Sequence, residues 1–560
     1  MSISSFDFSH YFSYEEIVSF LNSLEQWFPD LIEIRTIGKT YEGKKILLAV
    51  LTNKKTGSAL DKPGYWIDAN THAGEVTGSA VALYIAHYLL TKYQQNARAT
   101  RLLDDYTIYV VPRLAIDAAE KYLKTPNSFR SSVRHHPETN KNEGLYSLDI
   151  NNDGLILNMR IKDPCGSKKV SKKDSRIMVR REPDEFGDTY YMVVPEGIIN
   201  NYNGYNIKLA KPLEGMDFNR NYPYEWKPEG IEKGSGYYPF SEPETRALGE
   251  FWAANRNING FITYHTYSSV ILRPYCNNDD DNFSAEDLEI YKLIGEKGTQ
   301  TTGYPCVSVN SLFNKGQKKI RGSMSDYCYE YWGWFGFTIE LWDLPTAIGI
   351  EKEDYVEWYR HHSEEDDLKL MAWNDEILNG KGFINWQPFE HPQLGLVEIG
   401  GWNYKLLWQN APPTYLPDIC SKQCEFAIAH ALMSPRIVIS DITVVQKSRN
   451  IYSLGVIIEN EGFLPTYTSK KSLTSSIVKP IEANILLPEY CFLITGQLRK
   501  EIGHLEGRAN KSYCSYESSD YRCYVEWVVK IEESCKIQIT VNSERAGTCK
   551  STVDLLENKN

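Results

Sequence analysis

Residues 65–75 of the chain read YWIDANTHAGE, an apolar run that ends in a polar turn. The first five of these residues have the aromatic and apolar character of a buried strand, and residues 78–96 have the length and spacing of a helix. A strand that passes through a short turn into a helix is the unit of α/β domains with a largely buried sheet. The sequence around this turn therefore predicts an α/β fold.

The same alternation continues on both sides of the turn. A capping box, with Ser13 three residues before Glu16, marks a first helix that ends near Pro29. Further strands are predicted at 32–37, 45–51, 106–111, 261–265 and 335–341, and further helices at 243–255, 285–302 and 352–379. We therefore expect one α/β domain over residues 1–380.

Two stretches depart from this alternation. Residues 135–210 are polar and rich in Asn, Lys, Asp and Gly, which predicts an insertion in the α/β domain. Prolines punctuate residues 381–435, which we interpret as a linker segment with a short helix near 425–432. Residues 436–560 contain short β-rich runs separated by turn signals, a pattern typical of an all-β sandwich, here an accessory domain.

The composition excludes some classes of function. The chain has 560 residues and a net charge of −12, and an acidic chain is a poor partner for the phosphate backbone of nucleic acids. It contains no run of about 18 apolar residues, so we expect no membrane span. The N-terminus lacks a secretory signal, which favours a cytoplasmic location, or an extracellular one if a leader has been removed. The oligomeric state is left open.

The cysteines leave two alternatives open. Eleven cysteines, an odd number, are spread along the chain without a C-x-x-C pair, which argues against structural zinc or a redox pair. Free thiols in a reducing compartment are the expected state. Disulfides are the alternative near the C-terminus, where the cysteines are crowded: Cys491, Cys514, Cys523, Cys535 and Cys549.

The turn after the strand offers the first metal ligands. His72 and Glu75 lie three apart at the carboxyl end of the predicted strand, the edge where open α/β sheets bind ligands. Taken alone, the pair is more simply explained by hydrogen bonding at the surface. His265 ends a second predicted strand, however, and its own simple explanation is a satisfied, partly buried histidine. Two His and one Glu with an open position form the pattern of catalytic zinc.

Two further segments carry polar residues that such a site needs. Asp217, Asn219 and Arg220 lie within four residues of one another, and Asn and Arg offer a planar donor array for a carboxylate. Glu340 lies near the end of an apolar run, where a carboxylate is costly unless it is paired, metal-bound or facing a cleft. Beside a zinc-bound water, a Glu is the expected general base. The alternatives are a surface salt bridge in the first segment and an ion-paired Glu on an edge strand in the second.

In this order the segments resemble those of the carboxypeptidase A-like zinc metallocarboxypeptidases. The shared pattern is a His-x-x-Glu pair, a distant Arg, an Asn-Arg pair, a His-containing ligand segment and a Glu in a Phe-x-Phe-Glu-Leu-like strand. The resemblance covers roughly residues 10–380, apart from the insertion. It implies a mixed-sheet α/β/α zinc carboxypeptidase domain that hydrolyses the last peptide bond of peptides or proteins.

The resemblance also assigns roles to residues. Glu340 is implied to deprotonate the metal-bound water, and Arg130 to polarise the scissile carbonyl and bind substrate. Asn219 and Arg220 are implied to grip the free carboxylate of the substrate, which explains why only the last bond is cut. One Zn²⁺ per chain is implied to have three protein ligands: His72, Glu75 and His265.

Alternatives to an ordinary carboxypeptidase stay open at this stage. A member that has lost activity would act as a module that binds peptide tails, although the presence of every ligand and of Glu340 argues against it. An active enzyme specialised for wall peptides or for glutamylated proteins is a second alternative. A Ca²⁺ site is a third possibility, because Asp149–Gly154 matches the first half of a calcium loop. Its twelfth position is Arg160 rather than Glu, so an Asx-rich turn is the preferred interpretation.

Overall fold

The computed structural model describes residues 6–137, 143–314, 319–511 and 516–556. Within these ranges the α-helices are α1 Tyr14–Trp27, α2 Thr77–Thr91, α3 Ala97–Asp105, α4 Ile116–Lys124, α5 Pro243–Ala254, α6 Ala285–Thr302, α7 Met324–Trp332, α8 Leu344–Ala347, α9 Tyr355–Arg360, α10 Glu364–Ile377, α11 Leu416–Ala431 and α12 Lys470–Thr474. The first strands are β1 Ile32–Lys39, β2 Lys45–Leu51, β3 Gly64–Ala69, β4 Thr107–Val111, β5 Gly144–Ser147, β6 Asn158–Lys162, β7 Lys168–Val170, β8 Met178–Arg180, β9 Tyr191–Pro195, β10 Gly197–Asn200, β11 Ile258–Thr266 and β12 Val270–Arg273. The others are β13 Cys306–Ser308, β14 Phe335–Leu341, β15 Phe383–His391, β16 Gly395–Trp402, β17 Ile437–Ser448, β18 Ile451–Asn460, β19 Glu482–Leu486, β20 Cys491–Thr495, β21 Arg499–Glu501, β22 Arg522–Ile531, β23 Cys535–Ser543 and β24 Gly547–Leu555.

An eight-stranded mixed sheet forms the centre of the N-terminal domain, in the order β1-β2-β4-β3-β11-β14-β12-β13. Parallel pairs join β4, β3, β11 and β14 in the middle, whereas antiparallel pairs join β1 to β2, β2 to β4 and β12 to β14. All residues of β3 and β11 are buried, because apolar layers with helices pack on both faces of the sheet. The mixed α/β/α architecture predicted for this domain is confirmed.

Helix ends follow the capping residues. The amide of Glu16 donates to Ser13 Oγ at 3.2 Å and the amide of Ser13 to Glu16 Oε2 at 2.7 Å, so the predicted capping box begins α1. The single helix predicted over 352–379 is instead two helices. α9 ends at Arg360, and the Ser363 side chain caps the start of α10. A local cap therefore overrides the continuous apolar pattern.

The segment 381–435 is not the linker that its prolines predict. Strands β15 and β16 pair with each other and extend the strands of the 135–210 insertion into a six-stranded sheet, in the order β15-β16-β6-β9-β7-β8. Helix α11 packs against α2 and α6 in the core of the N-terminal domain. The prediction fails because Pro388 lies on an edge strand and Pro417 in the first turn of α11, two positions that tolerate proline.

Residues 436–556 form the predicted β-sandwich. One sheet has the order β17-β18-β22-β20 and the other the order β21-β19-β23-β24, and all their pairs are antiparallel. Ile537, Ile539 and Val541 alternate with more exposed residues along β23 and are fully buried in the core between the sheets. This period of two is the pattern of a strand with one solvated face.

Polar contacts attach the sandwich to the N-terminal domain. The buried guanidinium of Arg545 donates from Nη2 to the Trp332 carbonyl at 2.9 Å. The Asn259 side chain donates to the carbonyl of Arg545 at 2.8 Å. The ten cysteines within the described ranges carry free thiols, and Cys514 lies outside those ranges. Among the described helices, none has the length and apolar character needed to cross a membrane.

Candidate active site

The three side chains predicted as metal ligands lie together at the carboxyl ends of β3 and β11. His72 and Glu75 occupy the turn between β3 and α2, and His265 is the penultimate residue of β11. All three are buried. His72 Nδ1 lies 2.8 Å from Glu75 Oε1, and His265 Nδ1 lies 2.9 Å from Glu75 Oε2. The two Nδ1 atoms are 3.1 Å apart.

This arrangement has the chemistry of a cation site. His72 Nε2 lies 3.1 Å from the Asp217 carboxylate and therefore carries the proton of that hydrogen bond. In the neutral imidazole, His72 Nδ1 then has only a lone pair, which faces the oxygen of Glu75 and the ring nitrogen of His265. A metal ion between these three groups removes the repulsion between their lone pairs. Two imidazoles and a carboxylate within 4.8 Å of one another are a suitable donor set for zinc.

The charge of the Glu75 carboxylate is maintained by its neighbours. Burial alone would raise the pKa of Glu75, but the positive charge that the His72 and His265 rings carry when protonated outweighs burial and lowers it. The same contact acts in the other direction on His265. Burial would lower its pKa, whereas the Glu75 carboxylate raises it. An ionised carboxylate is the form that binds a metal ion.

Asp217 joins this cluster to the residues implied in substrate binding. Its Oδ1 accepts the His72 hydrogen bond, and its Oδ2 lies 3.0 Å from Arg130 Nε and 2.9 Å from Arg130 Nη2. Arg130 Nη1 is 3.8 Å from Glu75 Oε1. Burial would raise the pKa of Asp217, but Arg130, Arg220 and His72 hold it well below its usual range. The carboxylate thus fixes the orientation of the His72 imidazole and of the Arg130 guanidinium at once.

Asn219 and Arg220 follow Asp217 on a single turn of 3₁₀ helix. Asn219 Oδ1 accepts the Met324 amide at 2.8 Å, which fixes the orientation of the side-chain amide. Arg220 Nη1 donates to the Asn219 carbonyl at 2.7 Å, and its Nε lies 3.2 Å from Glu232 Oε1. Arg321 Nη1 is 3.8 Å from the other oxygen of Glu232. Glu232 is not predicted from the sequence, because it belongs to no motif and only the fold brings it to Arg220.

Glu340 lies beside the ligand cluster on the neighbouring strand. In the parallel pair of β11 and β14, its Cα is the register partner of His265. Burial and then the Glu75 carboxylate raise the pKa of Glu340 to about 8, while His265 and Arg130 act in the opposite direction. A bound dication would lower this pKa, since it adds positive charge next to the carboxylate. The fold therefore places a carboxylate with an adjustable proton beside His265 and Glu75.

Comparison with known proteins identifies the family. A profile described as zinc carboxypeptidase matches residues 17–360, more than half of the chain. The chain belongs to the zinc carboxypeptidase family. A second profile, described as a domain of unknown function, matches residues 436–554. The first match includes His72, Glu75, Asp217, His265 and Glu340, and the second lies within the β-sandwich.

The relatives of this zinc carboxypeptidase chain are distant. Mouse carboxypeptidase A6 is 22% identical over 302 residues, which cover 52% of each chain. Bovine carboxypeptidase B2 is 23% identical over 364 residues, which cover 63% of this chain and 68% of the relative. The matches thus span between half and about two thirds of these relatives. A crystal structure of thrombin activatable fibrinolysis inhibitor is 18% identical with a TM-score of 0.44, covering 77% of each chain. For carboxypeptidase A from Helicoverpa armigera the values are 18% and 0.40, with 60% of this chain and 66% of that chain covered.

Residues beyond the family match also reach the site. The Tyr404 ring lies 6.2 Å from the Tyr267 ring, and Tyr267 follows His265 by two residues. Gln409 lies against the turn that carries the first two ligands. A Cβ atom at Gly74 would come within 2.6 Å of the Gln409 amide, so the glycine leaves room for that side chain. Because residues 381–435 are predicted as a linker, no part of the site is predicted within them.

The segment Asp149–Gly154, which resembles half of a calcium loop, forms hydrogen bonds within itself. The Asp149 carboxylate accepts the amides of Asp153 at 3.2 Å and of Gly154 at 3.0 Å, and Asn151 Oδ1 accepts the Asp153 amide at 3.1 Å. These are the hydrogen bonds of an Asx-rich turn. Among the described residues, one set of three or more metal-ligating side chains is arranged to hold an ion: His72, Glu75 and His265.

Proposed function

We propose that this chain is a zinc-dependent metallocarboxypeptidase that hydrolyses the C-terminal peptide bond of peptides or proteins. The observation that carries the proposal is the convergence of His72, Glu75 and His265 next to Glu340, in a chain of the zinc carboxypeptidase family. When bound by these three side chains, Zn²⁺ supplies Lewis acidity to a carbonyl oxygen and lowers the pKa of a water molecule. The assignment of the three side chains as zinc ligands is part of this proposal.

Side chains of the protein carry out proton transfer, stabilise negative charge and position the reacting groups. Glu340 takes the proton of the attacking water and delivers it to the nitrogen of the leaving amino acid. Arg130 donates to the carbonyl oxygen of the scissile bond as negative charge develops there. Asp217 holds Arg130 and His72 in place through the contacts at 2.9–3.1 Å. The charge of the Arg130 guanidinium is retained because the neighbouring Asp217 and Glu75 carboxylates outweigh partial desolvation and raise its pKa.

Asn219 and Arg220 provide the selectivity for the chain end. A guanidinium and an amide offer several N–H donors to one carboxylate, and a peptide has such a carboxylate only at its C-terminus. With that group bound, the last peptide bond is the one held near Arg130 and Glu340. The substrate class that fits is therefore a free polypeptide C-terminus, including the ends of wall peptides and of glutamylated proteins.

The proposal is tested by zinc analysis and peptide cleavage on the full chain. We expect one zinc per chain and the loss of single residues from free C-termini, measured by mass spectrometry of a peptide library. The same peptides with amidated C-termini serve as the control and should stay intact. Binding of peptides without cleavage by the zinc-loaded protein would favour a tail-binding module. Protein that takes up no stoichiometric zinc would contradict the metal assignment.

A further inference from the structure

A cleft of about 680 Å³ lies between the N-terminal domain and the insertion. Its walls come from residues between 122 and 129, from insertion residues between 146 and 158, and from residues 403–406. The volume falls within the range of about 300–1,000 Å³ that is usual for ligand pockets. Residues 403–406 lie beyond the family match, which ends at residue 360. This part of the cleft therefore lies outside the family match.

The cleft wall continues along the chain into the candidate active site. Ser128 and Phe129 line it and immediately precede Arg130. The Arg130 carbonyl accepts the amide of Ala73, between the two ligands of the first turn, at 2.7 Å. On the opposite wall, Tyr404 contacts the Tyr267 ring at 6.2 Å. Arg130, which contacts the scissile carbonyl in the proposed reaction, thus follows a residue of the cleft wall directly in the chain.

The position of the cleft agrees with the direction of a bound substrate. In the proposed function, Asn219 and Arg220 bind the terminal carboxylate, and Arg130 binds the carbonyl of the last peptide bond. The rest of the substrate must then leave past Arg130, on the side away from Asn219. Neither Asn219 nor Arg220 lines the cleft, whereas Phe129, next to Arg130, does. The substrate chain upstream of the scissile bond is therefore the group that this cleft can receive.

The charges of the cleft indicate which side chains it favours. Lys405 Nζ donates to the carbonyls of Tyr122 at 2.8 Å and Thr125 at 2.7 Å, and lies 4.2 Å from the centre of the Tyr122 ring. Within the described ranges, no carboxylate forms an ion pair with it. An ammonium has three donors, so one remains for a ligand. Burial lowers the pKa of Lys405 to about 8, a cost that an incoming anion would offset.

The other charged side chains that line the cleft do not neutralise Lys405. Glu214 also lines the wall, but its carboxylate lies 3.4 Å from His135 Nε2. Lys211 adds a second cation to the lining. The cleft is thus positive within a protein whose net charge is −12. An acidic ligand is the chemical class that complements it.

We infer that this cleft binds the substrate residues upstream of the scissile bond and selects an acidic side chain there, through Lys405. The inference rests on the proposed function, because it uses the direction of the substrate chain in that site. It names a class of substrate: polypeptide C-termini with Asp or Glu a few residues before the last bond.

The test compares kcat/KM for peptides that share the same C-terminal residue. A blocked dipeptide is compared with hexapeptides that carry Glu or Gln at each upstream position in turn. We expect the best Glu hexapeptide to exceed its Gln counterpart by about 10-fold, as for a hydrogen bond to a charged group. Lys405→Met should remove this preference, and Lys405→Arg should keep most of it. An unchanged preference in Lys405→Met, or equal rates for dipeptide and hexapeptides, would overturn the inference.

Tyr404→Ala provides a second variant that does not depend on Lys405. Tyr404 is 48% exposed, so removal of its ring is compatible with folding. We expect the ratio of kcat/KM between hexapeptide and dipeptide to fall by about 10-fold, since an aromatic contact with the longer substrate is lost. Tyr205→Ala, at a tyrosine that is 83% exposed and outside the cleft, is the matched control and should leave the ratio as it is. An equal ratio in Tyr404→Ala and wild type counts against the cleft.

A binding assay separates this inference from the proposed function. Fluorescently labelled Glu and Gln hexapeptides are titrated against zinc-loaded Glu340→Gln protein, followed by anisotropy. If the wild type cleaves no peptide but this protein binds the Glu peptide more tightly through Lys405, the proposed function fails, and the part of the inference that stands is the selection of an acidic peptide side chain by the cleft. If peptides are cleaved with no effect of length or upstream charge, the inference fails alone.

Discussion

At the scale of single residues, the candidate site depends on carboxylates that each interact with two side chains. Asp217 accepts from His72 and Arg130 through different oxygens. In Asp217→Asn, an NH₂ group would face one of these donors. We expect zinc affinity to fall by about 10–100-fold, the usual effect of changing a group that orients a ligand histidine. Competition with a zinc-binding dye measures it. Asp375→Asn, at a surface ion pair, is the control. Unchanged affinity would show that His72 is oriented by other contacts.

At Glu340, the proposed general base can be removed with little change in the shape of the side chain. Glu340→Gln should retain zinc and the fold, because the side chains are nearly isosteric. We expect kcat to fall by roughly 10²–10⁴-fold, the contribution of a general base. Steady-state kinetics on the best peptide of the library measures the loss, with zinc content determined in parallel. Glu376→Gln, on the exposed face of α10, is the matched control. A rate near that of wild type would assign the base to another group.

Glu244 gives a prediction on pH-dependent stability outside the site. Its buried carboxyl accepts the Tyr41 amide at 2.9 Å, and burial raises its pKa to about 8 from a model-compound value of 4.5. The folded protein thus holds this proton more tightly than the unfolded chain. The resulting stabilisation is complete below about pH 4.5 and is lost as the pH rises towards 8.

Glu244→Gln should therefore melt higher than wild type at pH 8.5, while the difference shrinks at pH 5. Each unit of pKa shift corresponds to about 1.4 kcal/mol, and the neutral amide avoids the loss of this free energy at high pH. Thermal melts at the two pH values measure the change, with Glu250→Gln on the exposed face of the same helix as control. A difference in Tm that is the same at both pH values would contradict the assignment.

At the scale of elements, the hairpin of β7 and β8 carries a like-charge pair. Lys168 and Arg180 are directly opposite each other in this antiparallel pair. Arg180→Glu replaces a repulsive cross-strand pair by an attractive one. We expect it to stabilise the hairpin by about 0.2–1 kcal/mol. Slower hydrogen exchange of the amides between residues 168 and 180 is the measurement. Arg180→Gln, which removes the charge only, should give a smaller gain, and faster exchange in Arg180→Glu would contradict the pairing.

At the scale of the whole molecule, Asp287 of α6 links the two domains. Its carboxylate accepts the amides of Lys470 at 2.7 Å and Lys471 at 3.0 Å, and the Tyr329 hydroxyl at 2.8 Å. Asp287→Ala leaves these donors unpaired at a buried contact. We expect a loss of about 2–4 kcal/mol and a separate melting transition for the sandwich in calorimetry. Asp281→Ala, at an exposed position, is the control. A single transition at the wild-type Tm would show that other contacts hold the domains together.

The sequence by itself determined the features that depend on residues close together along the chain. The Ser13 capping box begins a helix, and the buried strand before His72 ends in the turn that carries Glu75. The mixed α/β/α domain, the β-sandwich and the family were predicted correctly, because each rests on local periodicity or on motifs of a few residues. The zinc ligands, the base and the carboxylate-binding pair stay predictions, although the fold brings them into one site.

Only the tertiary structure decided how distant segments meet. Strand β16 pairs with β6 across more than 200 residues of chain, and this pairing gives 381–435 a structure that its prolines did not predict. The segment that follows β16 then places Tyr404 and Gln409 at the candidate active site. Glu232 reaches Arg220 in a similar way, without a motif. Strand pairing and ion pairs of this kind depend on which surfaces the whole fold buries together, and a local pattern of residues does not contain that information.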